Sequence, residues 1–138
     1  MGLKRRTREL ALQMLFQMDL GTVQIKDLEE NFLPNASAPE AAKKMALEMV
    51  KNIWDRVSEI DSSLRKFTEH WDLARMAGVD RNVLRLGAYE ILFDDEVPKS
   101  VAINEALEIV KRFSTEESSR FVNGILDKLE KKSPQATK

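Results

Sequence analysis

Apolar side chains recur three and four residues apart along almost the whole of this chain, and no stretch keeps the two-residue alternation of a half-buried strand. Breakers are scarce as well, with five glycines and four prolines in 138 residues. Together these features predict helices throughout. The first is expected from about Leu3 to Leu20, stopped by Gly21, which readily takes the left-handed conformation favoured just past a helix end. A second, short helix covers about Ile25 to Leu33. The segment PNASAP at 34–39 sets two prolines among small polar residues and reads as a loop, the best position for a joint between subdomains, with Pro39 suited to the first turn of a long third helix ending near Val57. Asp61 and the serines after it start a further helical piece carrying Leu64 and Phe67, and Asp72 to Met76 form a turn. Asp80 is expected to cap a helix ending at Phe93, its carboxylate accepting from free backbone donors of the first turn. Ser100 is expected to cap a helix to Phe113, and Ser114 or Thr115 caps the last one, which runs to about Lys131 with Glu116 and Glu117 near its positive end. The expected fold is all-α, a compact bundle of about seven helices forming one domain over 1–132, with a flexible polar tail at 133–138.

Composition narrows the function classes. Apolar residues make up 43% of the chain and charged residues 33%, the balance of a globular domain. The absence of cysteine excludes disulfides, thiolate metal sites and cysteine nucleophiles, and fits a reducing compartment such as the cytoplasm. The basic start MGLKRRTREL has no apolar run behind it, and no run approaches the roughly 18 residues of a membrane span, so a soluble protein is expected. Catalytic candidates are few. His70, beside Trp71, is the single histidine and reads as structural; no phosphate-binding loop, dinucleotide fingerprint, HExxH or GxSxG motif occurs. Glu105 and Glu108 share a helix face that suits a metal in principle, but such pairs more often mark a solvated face. No enzyme activity, metal or cofactor is expected.

The formal net charge of −1 looks wrong for a nucleic-acid binder, yet its distribution is uneven. Lys4, Arg5, Arg6 and Arg8 all precede the first acidic residue. On a helical wheel with Arg5 at zero, Leu10, Ala11, Met14, Leu15 and Met18 fall between about 140° and 280° as a core stripe, leaving the arginines outside it. Phe16 falls near 20°, beside Arg5 and away from the stripe. Guanidinium groups next to an aromatic ring suit single-stranded RNA, the cations holding phosphates and the ring taking an unstacked base. The alternative is that Phe16 packs on a neighbouring helix while Arg5 pairs with Glu9, and the first helix alone leaves both readings open. The helix after Asp80 also carries surplus apolar surface: Leu86, Tyr89 and Phe93 lie off the stripe formed by Val83, Leu84, Gly87, Ala88 and Ile91. Several neighbours could bury it, or one side could be offered to a partner.

Three words in the second half carry a resemblance: VDRNVLRLGAYEIL at 79–92, VPKSVAINEALEIVKRF at 97–113 and SSRFVNGILDKL at 118–129, joined by the arginine-rich start KRRTRELALQMLFQMDL at 4–20. With these the chain resembles the NusB family, while 22–78 is similar mainly in helix order. The resemblance implies two small helical subdomains and a transcription antitermination role without catalysis, in which the protein binds the boxA element of nascent ribosomal RNA with NusE, a small-subunit ribosomal protein. Further Nus factors and RNA polymerase would complete the assembly, and some relatives form homodimers that cover the arginine face. By position, the resemblance implies that Lys4, Arg5, Arg6, Arg8 and Phe16 bind RNA, with Phe121 also on that side and Lys111 and Arg112 extending the basic track. It implies that Glu117 tempers RNA affinity, that Asp80 contacts NusE, and that Tyr89 and Phe93 join that contact. Asn123 and Gly124 read as a close-packing point of the last helix. The competing expectation is a protein-binding helical scaffold or homodimer without RNA affinity.

Overall fold

The computed structural model describes residues 2–68 and 72–130; His70, Trp71 and the tail expected at 133–138 lie outside them. Among the described residues the regular structure is helical: α1 (Leu3–Asp19), α2 (Ile25–Asp27), α3 (Glu40–Asp55), α4 (Val57–Arg65), α5 (Gly78–Phe93), α6 (Lys99–Phe113) and α7 (Glu116–Asp127). None of these helices is long and apolar enough to cross a membrane. The chain divides into two compact units, Met1–Arg56 and Val57–Lys138, so the all-α, two-subdomain expectation holds.

The joint between the units is not PNASAP. It lies at Arg56, whose φ of −111° and ψ of 13° leave helical geometry, so the single long helix expected to Val57 ends at Asp55 and α4 starts afresh. PNASAP belongs inside the first unit, where Arg6 Nη2 donates to the Ser37 carbonyl at 2.9 Å and ties the loop to α1. In this unit α3 packs on α1 through a stripe of Ala42, Ala46, Val50 and Ile53, whose spacing of four, four and three keeps one face inward. Gly21 ends α1 as expected, at φ 85°, with its N–H donating to the Met18 carbonyl. The second helix begins at Ile25 as expected but changes winding: α2 gives way to a wide helical turn at Leu28–Phe32 and a tight one at Leu33–Asn35, with Leu28 and Leu33 buried. Pro34 lacks the N–H that would continue the wider winding.

The second unit is built around α5, against which α4, α6 and α7 all pack. Three packing neighbours account for the surplus at Leu86, which is 1% exposed, so the first of the two alternatives holds there. At Gly87 a β-carbon would sit 2.8 Å from Cδ1 of the buried Leu126, so α7 approaches α5 this closely because the side chain is missing. The close-packing point expected at Gly124 is not there. An added β-carbon there meets nothing within 4 Å, and both it and Asn123 are exposed, because α7 turns the opposite face toward α5.

Asp61 does not start a helix. It lies within α4, where Arg85 grips it with both ends of the guanidinium fork, Nε to Oδ1 at 2.9 Å and Nη2 to Oδ2 at 2.8 Å. Arg85 Nη1 also donates to Asn82 Oδ1 at 3.1 Å, and Asn82 Nδ2 donates to the Gly78 carbonyl at 2.8 Å. All three side chains are buried, so the network satisfies its own polar atoms while fixing α4 on α5. Removing one partner strands a buried charge. Asp61→Ala should therefore lower the unfolding free energy by about 3–5 kcal/mol in urea titration, and the double change Asp61→Leu with Arg85→Met should lose less than half as much. Equal losses would show that pairing is not what the site contributes.

Candidate nucleic-acid interface

The N-terminus of α1 is built against helix electrostatics. Its cap position is Gly2, with no side-chain cap, and no acidic residue stands in the first turn. Lys4, Arg5, Arg6 and Arg8 instead place cations at the end where the helix dipole and free N–H groups already favour anions. Lys4 is exposed and Arg5 half-buried. Arg6 has duties of its own, donating to Ser37 and, at 3.3 Å, to Oε1 of the buried Glu9.

Arg8 corrects the wheel. It is 4% exposed rather than outside the core, and Thr7, Glu9 and Leu12 are buried with it. A wheel with one core stripe assumes one covered face, whereas α1 is buried around most of its circumference. Phe16, for which the first helix left packing and exposure both open, is half-buried.

The second unit carries its own basic and aromatic segment. Lys111 and Arg112 are exposed in the last turn of α6, and the guanidinium carbon of Arg112 lies 5.2 Å from the centroid of the Phe113 ring. Thr115 caps α7, its Oγ1 accepting from the Ser118 N–H at 3.0 Å, and Glu116 and the exposed Glu117 occupy the first turn. Phe121 is half-buried on the same helix.

Asp80 is not a cap, because α5 starts earlier, with Ala77 at its cap position. Its carboxylate accepts instead from two hydroxyls, Ser114 Oγ on Oδ1 at 2.9 Å and Ser118 Oγ on Oδ2 at 2.8 Å. This clasp fixes the joint between α6 and α7 to the head of α5. Sequence reasoning missed it, since the partners lie 34 and 38 residues away and hydroxyls give no pattern of their own. Tyr89 and Phe93 stack one turn apart, with ring centroids 6.1 Å apart and a 35° tilt, both half-buried. Nine residues separate Asp80 from Tyr89, which puts them about 180° apart around α5. The structure does not bring the three residues expected at the NusE contact into one patch.

Among the described residues, two small all-helical units with cations and aromatic rings at helix ends define an all-α class of fold. The chain belongs to the NusB family, whose model matches residues 5–131. It is 46% identical over 129 residues to the transcription antitermination protein NusB of Desulfitobacterium hafniense, covering 91% of this chain and 86% of that protein. T. maritima NusB superposes with a TM-score of 0.79 at 40% identity, covering 92% of this chain and 89% of its own. NusB solved with NusE and double-stranded RNA superposes with a TM-score of 0.74 at 27% identity, covering 92% and 95%.

The clasp makes a contrast that melting can read. Asp80→Ala and Ser118→Ala should each cost about 1–2 kcal/mol, because both remove hydrogen bonds to a partly buried carboxylate. Ser100→Ala should stay within about 0.5 kcal/mol, since α6 takes no side-chain cap and Ser100 is exposed. A loss at Ser100 as large as at Asp80 would overturn this assignment.

Proposed function

We propose that this chain is an RNA-binding transcription antitermination factor that works with NusE and acts on the boxA element of ribosomal RNA transcripts. The observation that carries the reading is the uncapped, acid-free start of α1 with its four cations. Such an arrangement costs helix stability and suits an anion, and phosphates are the anions a nucleic acid offers. Membership of the NusB family and the fold shared with a NusB solved beside NusE and RNA support the choice of RNA and of partner.

Lys4 and Arg5 take phosphates directly. Arg6 shares its guanidinium between Ser37, Glu9 and the ligand, while the buried Arg8 lends charge from behind. Phe16 in the first unit and Phe121 in the second each offer a ring edge to the RNA, Lys111 and Arg112 extend the basic surface of the second unit, and the exposed Glu117 lowers affinity by repelling phosphate. NusE docks at Asp80, with Tyr89 and Phe93 forming a separate contact on another side of α5. The assembly works in the cytoplasm with RNA polymerase and further Nus factors.

Titrating boxA RNA, single-stranded and annealed, with and without NusE tests the reading. Lys4→Ala with Arg5→Ala should weaken binding and flatten the log–log salt slope by about 1.4, as two phosphate contacts to a single strand imply. A wild-type chain that binds RNA no better than an unrelated neutral protein, yet self-associates or binds NusE, would leave the scaffold or homodimer reading in its place.

A further inference from the structure

Phe113 is the one aromatic residue among the exposed large hydrophobics of the described chain, at 40% exposure. It is the last residue of α6, and its backbone is held firmly on both sides. The next residue, Ser114, donates its N–H to the Val110 carbonyl at 2.8 Å and its hydroxyl to Asp80 at 2.9 Å. The guanidinium of Arg112 lies over the ring at 5.2 Å, and Lys111 is exposed in the same turn. The C-terminal end of a helix accounts for the two cations, since its carbonyls favour positive charge. It does not account for an exposed ring in the same turn.

We propose that Phe113 is a stacking platform for one unpaired RNA base, distinct from Phe16 and Phe121. The base covers the solvent side of the ring, Arg112 closes the cation–π stack, and Lys111, on another side of the same turn, adds positive charge for the strand's phosphates. Charge favours RNA over a protein occupant: interface cores are depleted in charge, and an apolar pocket fitted over Phe113 would have to desolvate two cations. The acidic pair Glu116 and Glu117 at the head of α7 keeps the site short, one nucleotide rather than a tract. This inference rests on the RNA-binding reading above.

The test uses the full chain, NusE and a short single-stranded boxA oligonucleotide. Phe113→Ala should weaken RNA binding by about fivefold or more, with unchanged affinity for NusE. Phe113→Trp should keep wild-type affinity, and its emission should be quenched by RNA beyond any change seen in the wild-type protein, which carries Trp54 and Trp71. Should Phe113→Ala destabilise the fold, the Trp variant alone decides: unquenched emission on saturation with RNA overturns the platform. Wild-type affinity in Phe113→Ala, while Lys4→Ala with Arg5→Ala still loses binding, overturns the platform and leaves the RNA-binding reading intact. Loss of NusE affinity instead of RNA affinity overturns it in favour of a protein contact. A wild-type chain that binds no RNA overturns both readings.

Discussion

The fork that Arg85 closes on Asp61 is the interaction on which the second unit depends. A guanidinium and a carboxylate taken out of water are expensive to bury, and they persist here because every donor and acceptor finds a partner, down to Asn82 and the Gly78 carbonyl. The pair gives α4 one register on α5. Apolar packing alone, with its tolerance for substitution, would leave that register less sharply defined. With α5 so anchored, Gly87 admits α7 and Asp80 draws in the joint between α6 and α7.

From that anchoring follows the character of the candidate surface. Asp80 is a clasp within the fold and the residue proposed above for a partner contact, and a single carboxylate can serve both while it remains partly exposed. The clasp fixes Ser114, and Ser114 fixes the turn that presents Lys111, Arg112 and Phe113. In the first unit the equivalent rigidity comes from Arg6, which ties α1 to the loop at Ser37. With Arg6 used partly for structure, Lys4 is the cation of this segment that stands fully exposed.

The helices were legible in the sequence because periodicity is a local signal: Gly21, the prolines of 34–39 and the Thr115 cap fall where their chemistry requires. Helix starts at residues without a side-chain cap, such as Ala77 and Pro98, are not legible, and the sequence offers Asp80 and Ser100 as caps in their place. Burial on more than one side of a helix was hidden as well. Arg8 and Leu12 look peripheral on a wheel with one stripe, and no local pattern announces that α1 is covered more widely. Gly124 and Gly87 are alike as letters; only packing separates the open one from the crowded one. Of the site, the basic start was visible in the order of charges, whereas the Arg85–Asp61 pair and the Asp80 clasp join residues too distant for spacing to reveal.

Amide hydrogen exchange of the chain with NusE, followed before and after adding boxA RNA, addresses the central claim most directly. RNA should slow exchange in peptides covering 3–9 and 111–121, at the start of α1 and around the end of α6, and leave 42–53 of α3 unchanged. Protection confined to the 82–93 stretch of α5, or no protection at either basic segment under saturating RNA, would contradict it.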